Sequence, residues 1–437
     1  MQSLDRRILS LAVPALGALL AEPLFLITDS AMVGHLGVPQ LAGLGLAMVI
    51  LQSLIGVLIF LAYSTTPAVA RRIGAGDEPG AVSAGWNGIW LAAALGAVVA
   101  VLGVLIAPAV LGLFGASAEV AEHAGVYLGI SMLGVPAMLI VFAATGLLRG
   151  LQDTRTPLVV TVGGFALNAA LNAVLIYGAG LGVAGSAIGT VVAQWLMAAA
   201  FLTVVGRHAA RTGASVRPHL AGIGGSARDG SWVFLRSISL RIATIAATVL
   251  ATGLGTNGLA GFQVVMTIFT TAAFAMDALA IAAQALVGRG LGAGDAADVR
   301  RVLRRCLLWG AGAGVGLGLV IALTAPWTGL LFTGDADLAA LLAPSLVIVG
   351  LGAPLAGIVF VLDGVLLGAG DGRYLGLTGL ANTAAFILIA SLVPWGSLTE
   401  GAGLSALTAA FALGYIAARA CTLVPRALGN RWQRLGV

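Results

Sequence analysis

The 437-residue chain is 59% hydrophobic and only 9% charged, with a mean hydropathy of +1.06, whereas a soluble domain carries roughly 25% charge. A single water-soluble core stops growing near about 250–300 residues, so the surplus apolar surface has to face lipid. The net charge of +5 is spread over short loops rather than gathered into a stripe, which excludes a nucleic-acid partner.

A membrane-crossing helix needs roughly 17–25 mostly apolar residues, and backbone in lipid must satisfy its own hydrogen bonds. Twelve stretches qualify, making this an all-α integral membrane chain. The first, about 8–33, holds Pro14, Glu22 and Asp29, and is too long and too acidic for a cleaved leader. The next five lie at about 39–66, 87–114, 124–148, 157–178 and 183–205. An Arg-, Gly- and His-containing linker, 207–231, then leads to about 233–253, 258–287, 304–332, 338–367, 374–395 and 403–424. The 63 glycines let such helices approach closely, since lipid-embedded helices gain nothing by hiding Leu from lipid.

All 22 basic residues are Arg, and they mark one side. Arg6 and Arg7, Arg71 and Arg72, Arg149 and Arg155, the linker arginines with Arg236 at the edge of the seventh helix, Arg289 with Arg300–Arg305, Arg373 and Arg419–Arg434 all sit at alternate helix junctions. The opposite loops, such as Gly34–Pro39, Ala116–Ala121 and Thr333–Asp337, hold none. By the positive-inside bias both termini are cytoplasmic. Only Arg241 is expected within a span. Cys306 and Cys421 are far apart in sequence and show no metal spacing.

Shifting the chain by 218 residues superimposes its scarce charges: Asp77 on Asp295, Asp153 on Asp371, Arg71 on Arg289 and Arg155 on Arg373. The chain therefore reads as a duplication, with six-helix lobes at 1–206 and 232–437 joined by the 207–231 linker. An even number of spans per lobe gives parallel repeats with the substrate site between them.

Pro14, the run Thr28-Asp-Ser-Ala-Met-Val-Gly-His-Leu-Gly37, the Gly-Ala-Gly-Asp ending at Asp77, Arg149-Gly-Leu-Gln-Asp-Thr-Arg-Thr-Pro157 and Gly182-Val-Ala-Gly-Ser-Ala-Ile-Gly-Thr190 resemble the multidrug and toxic compound extrusion (MATE) family. The runs Asp277–Gly288 and Leu362–Asp371 resemble its DNA-damage-inducible F (DinF) branch. The resemblance implies two lobes around a central cavity, alternating access, and export of drugs or metabolites driven by protons or sodium.

Ionisable residues inside a bilayer are costly and tend to mark function. Four acids fall within spans: Glu22, Asp29, Asp277 and Asp363. Asp29 lies about five residues from the outer end of its helix and Asn172 about six from the outer end of the fifth, with Asn168 one turn deeper; Thr190 is about seven residues into the sixth. These similar depths predict one polar cluster. The resemblance implies the same group, a first-helix Asp with fifth-helix polar residues and a sixth-helix Thr as the coupling site. Many relatives carry Asp where this chain has Asn172, so a single desolvated carboxylate taking a proton fits better than a two-carboxylate sodium site. Pro14 lacks an N–H and bends a helix, and the resemblance implies that protonation of the first-helix Asp alters bending there.

Glu22, two turns before Asp29, reads as a substrate contact, a proton relay, or a structural partner of a neighbouring helix. Asp277 and Asp363 stay open as substrate or relay candidates, with Arg241 the expected salt-bridge partner of one of them. Acids outnumber the one intramembrane Arg, so amphipathic, cationic small molecules are the expected substrates. The expectation is a monomeric, cation-coupled antiporter in a bacterial inner membrane, with the proton as coupling ion, sodium as the alternative, and neither cofactor nor metal. A lipid-linked precursor flippase would need a basic cavity, for which Arg241 alone is thin support. No zinc pair, Gly-x-Ser-x-Gly turn or acid-rich metal motif supports an intramembrane enzyme.

Overall fold

The computed structural model describes residues 4–332 and 336–436. Among these there is no β-strand, and twelve helices are long and apolar enough to cross a membrane. They are α1 (Leu4–Gly34), α2 (Val38–Gly74), α3 (Glu78–Gly112), α4 (Ala118–Gly150), α5 (Arg155–Gly178) and α6 (Gly182–Thr212), then α7 (Leu220–Thr252), α8 (Gly255–Gly292), α9 (Ala296–Leu330), α10 (Ala339–Gly368), α11 (Gly372–Ser397) and α12 (Glu400–Leu428). Each expected stretch falls on one of these helices, most of which run longer. Of the expected loop Thr333–Asp337, residues 333–335 lie outside the described residues.

Contacts divide the chain into a unit of Gly17–Gly230 and a unit of Ser231–Val437 joined by residues up to Leu16. The expected second lobe, 232–437, begins one residue after this division, while the expected linker 207–231 falls almost wholly in the Gly17–Gly230 unit. The stretch expected as a tether is largely helical, because α6 continues to Thr212 and α7 begins at Leu220. Between them Gly213 ends α6 at a φ of 70°, a left-handed conformation that favours glycine. α1 itself is divided just beyond Pro14. Its first turns are tied into the second unit by Asp5, which accepts from Arg305 Nη2 at 2.7 Å and from Trp309 Nε1 at 2.9 Å.

The duplication is visible as packing. In the first unit α4 lies against α2, α3 and α6; in the second α10 lies against α8, α9 and α12. These two central helices are the most buried spans, each 61% inside the protein. Their glycines carry the close approaches. A β-carbon on Gly146 would stand 2.6 Å from Ala62 O, and one on Gly364 would stand 2.4 Å from Ala280 O. The pairs Gly96 with Pro136 and Gly314 with Pro354 repeat the pattern. Every member is shifted by the same 218 residues, so the register read from the charges holds for the backbone contacts. Without lipid-excluding hydrophobic force between helices, this backbone proximity supplies the dispersion contacts that hold the unit. The Gly-Ala-Gly-Asp turns cap helices: Asp77 Oδ1 accepts from Gly80 N at 2.9 Å, and Asp295 Oδ1 from Asp298 N at 2.8 Å.

Candidate functional site: a buried carboxylate beside an apolar cavity

Asp29 is 1% exposed near the end of α1. Three donors converge on it from three other helices of the Gly17–Gly230 unit. Tyr127 OH of α4 donates to Oδ2 at 3.2 Å, while Asn172 Nδ2 of α5 and Ser186 Oγ of α6 donate to Oδ1 at 2.8 and 2.5 Å. Behind them, Asn172 Nδ2 also reaches Asn168 Oδ1 at 3.2 Å, and Asn168 Nδ2 donates to Thr190 Oγ1 at 3.0 Å. Asp29, Asn168, Asn172 and Thr190 are thus brought together. Among the described residues no cationic side chain pairs with Asp29. A carboxylate so placed relies for stabilisation on hydrogen bonds to neutral groups, the weaker of the two ways of holding a buried charge.

Local backbone makes the arrangement possible. After Asn172 the fifth helix widens into a π-helical turn at Val174–Gly178, a feature that often marks functional positions. α6 meets it with glycines, since a β-carbon on Gly185 would stand 2.8 Å from Leu175 backbone.

Below the cluster lies a cavity of about 710 Å³, lined by Glu22, Gln52, Phe25, Tyr127, Asn168 and Thr190 among others, most of them apolar. The rings of Phe25 and Phe165 stack there at 4.8 Å. Glu22 and Gln52 both line this cavity. A second cavity continues from Glu22 and Phe165 toward Thr145 and Arg149. Glu22 is the residue with a charge that both share on the α1 side.

The remaining candidates lie in the other unit. Asp363 is buried and ion-paired with Arg236 of α7 and, at 3.4 Å, with Arg419 of α12. Of the two acids expected as partners of Arg241, Asp363 therefore pairs with other arginines. Arg241 is not the sole arginine inside the helical body: Arg236 and Arg419, read from sequence as helix-edge residues, have side chains 11% and 8% exposed. Asp277 is half-buried on α8. Pro14 sits inside continuous α1, three residues before the division between units.

Sequence reasoning missed Ser186 and Tyr127. Ser186 stands one helical turn before Thr190 on the same face and was findable by periodicity; nothing in the sequence singles out Tyr127. The 218-residue shift places Ala247, Phe386, Ala390 and Leu404 where the first unit has Asp29, Asn168, Asn172 and Ser186. Ala247, Phe386 and Leu404 belong to one apolar core there, and Ala390 is also buried. The polar network exists in one copy of the repeat.

The sequence profile named MatE matches residues 14–174 and 233–395. The chain is 29% identical over 408 residues to DNA damage-inducible protein F of Escherichia coli K12, covering 90% of this chain and 87% of that protein. It is 29% identical over 378 residues to the chloroplastic protein DETOXIFICATION 44 of Arabidopsis thaliana, covering 83% of this chain and 72% of that one. The fold matches that of the MATE transporter VcmN of Vibrio cholerae in its bent form, with a TM-score of 0.89 at 23% identity over 99% of this chain and 98% of that one.

Proposed function

Because the chain belongs to the MatE family, whose members are transporters and not enzymes, we propose that it exports small organic molecules by alternating access, with Asp29 taking up and releasing a proton. The observation that carries this reading is a shared set of residues. Tyr127, Asn168 and Thr190 belong both to the Asp29 network or its extension and to the wall of the Glu22 cavity.

The hydrogen bonds suit a proton. Asp29 Oδ2 has one partner, a phenol whose hydroxyl can turn from donor to acceptor. Oδ1 keeps its two donors in either state. A proton arriving at Oδ2 reverses the Tyr127 bond and leaves the others, so the change falls on a group that faces the cavity. Protonation from outside then disfavours the substrate-loaded state and releases substrate. Linkage requires substrate to weaken proton binding by the same factor, and each tenfold of coupling is worth about 1.36 kcal/mol.

An apolar cavity with aromatic walls and the Glu22 carboxylate suits an amphipathic cation. The arginine-rich loops support, by the positive-inside bias, a topology with both termini in the cytoplasm of a bacterial inner membrane, with a monomer as the proposed working unit. One observation favours sodium as a second reading: Asn172 Oδ1 is buried without a hydrogen-bond donor, an oxygen that a dehydrated cation could use. Purified protein in liposomes, loaded with a cationic dye and given either a pH or a sodium gradient, tests both. Efflux driven by pH alone supports the proton; efflux driven by sodium alone transfers the role to sodium; dye movement under neither removes antiport.

A further inference from the structure

A cavity of about 760 Å³ with mixed polar and apolar walls lies at the arginine-rich end of the Gly17–Gly230 unit, away from the Asp29 network. Its walls include Ser64 and Arg72 from α2, Asn87 from α3, and Gly222, Ser226 and Asp229 from the first turns of α7. The α6–α7 bend is pinned over α3, where Trp90 Nε1 donates to Val216 O at 2.9 Å and Ser215 N donates to Ser83 Oγ at 3.1 Å. Gly222 lets α7 approach, since a β-carbon there would stand 2.2 Å from Asn87 Nδ2.

The polar groups in this cavity are not matched to one another. Arg72 donates to Ala68 O at 3.2 Å, one turn back in its own helix, and meets no carboxylate among the described residues. Asp229 meets only Arg228, at 3.9 Å, with both side chains mostly exposed, a pair of little strength. The Asn87 amide has no hydrogen-bond partner among the described residues. Arg72 and Asp229 thus line one cavity without pairing with each other, a pattern that suits a ligand carrying both charges.

We propose that this cavity binds the zwitterionic headgroup of an aminophospholipid, its phosphate on Arg72 and Asn87 and its primary ammonium on Asp229. A guanidinium matches phosphate oxygens in geometry and charge, and basic pockets between membrane helices at this kind of face take lipid headgroups. The acyl chains have a path. Val98 and Val101 lie on the Asn87 face of α3 by helical spacing, and they are 55% and 61% exposed. The same chemistry occurs in soluble O-phosphoethanolamine, but the apolar stripe favours the lipid.

Native mass spectrometry of the full-length protein from detergent tests this, with dioleoyl phosphatidylethanolamine, phosphatidylglycerol, phosphatidylcholine and O-phosphoethanolamine as separate probes. Phosphatidylethanolamine is expected to be retained above the other two lipids, and both Arg72→Gln and Asp229→Asn to weaken it about fivefold. Asp229 is exposed, so its variant reports even if the Arg72 variant folds poorly. Equal retention of phosphatidylglycerol, or indifference to both substitutions, overturns the zwitterion site. Binding of O-phosphoethanolamine without the lipid overturns the lipid as occupant.

Discussion

Gly189 and Asn172 are so close that a β-carbon on the glycine would stand 2.1 Å from Asn172 Oδ1. The amide that donates to Asp29 at 2.8 Å is therefore held by the absence of a side chain on the facing helix. Gly189→Ala is expected to displace that amide and lower stability by about 1–3 kcal/mol, with gradient-driven efflux falling further than the melting shift explains. Gly45→Ala, where nothing lies within 4 Å, is the matched control and is expected to be neutral or stabilising by up to about 1 kcal/mol. Thermal unfolding in detergent and efflux from liposomes measure both. Identical behaviour of the two variants would separate the Asn172 amide from coupling.

Asp29→Asn keeps the size of the side chain and resembles its protonated form, with the amide nitrogen able to donate to Tyr127 in place of the accepting Oδ2, but removes its titration. Folded yield is expected to stay near wild type while gradient-driven dye efflux drops by about 100-fold or more, a loss of roughly 2.7 kcal/mol in coupling. Undiminished transport takes Asp29 out of the mechanism.

Glu22→Gln should preserve the size of the side chain and remove the cavity's charge. A monocationic dye is expected to lose about tenfold in apparent affinity, the difference between a charge-assisted and a neutral hydrogen bond, while a neutral dye of similar shape is unaffected. Concentration-dependent efflux with both dyes decides; equal losses would make Glu22 a structural residue.

Asp363→Ala leaves two buried guanidiniums without their carboxylate. The expected cost is about 3–5 kcal/mol, as for other broken buried pairs, seen as a large fall in melting temperature or folded yield. Asp298→Ala removes the half-buried partner of the exposed Arg301 and is expected to cost less than about 1 kcal/mol. A mild Asp363 variant would show that Arg236 and Arg419 find other partners.

The twelve helices and the repeat were legible because lipid leaves polar residues scarce, so each surviving charge carries positional information. Asp29, Asn168, Asn172 and Thr190 could be grouped by counting helical rise from the loops. Arg236 and Arg419 could not be read correctly. An arginine near a helix end looks the same in sequence whether its side chain reaches for water or folds back onto a buried acid such as Asp363. Tyr127 was invisible for a related reason, since a phenol suits an interfacial belt as well as a buried network. The division of α1 after Leu16 depends on packing of Asp5 with Arg305 and Trp309, a pairing across 300 residues that no local pattern announces.

Alanine, phenylalanine and leucine at 247, 386 and 404 leave the second copy of the repeat with hydrocarbon where the first holds Asp29, Asn168 and Ser186. If the proposed proton coupling at Asp29 holds, its single carboxylate would exchange one proton for one substrate per turnover. For a monovalent cation that exchange is electroneutral, so the membrane voltage adds nothing to its accumulation ratio. The ceiling is then set by acidity alone, about tenfold for each pH unit across the bilayer.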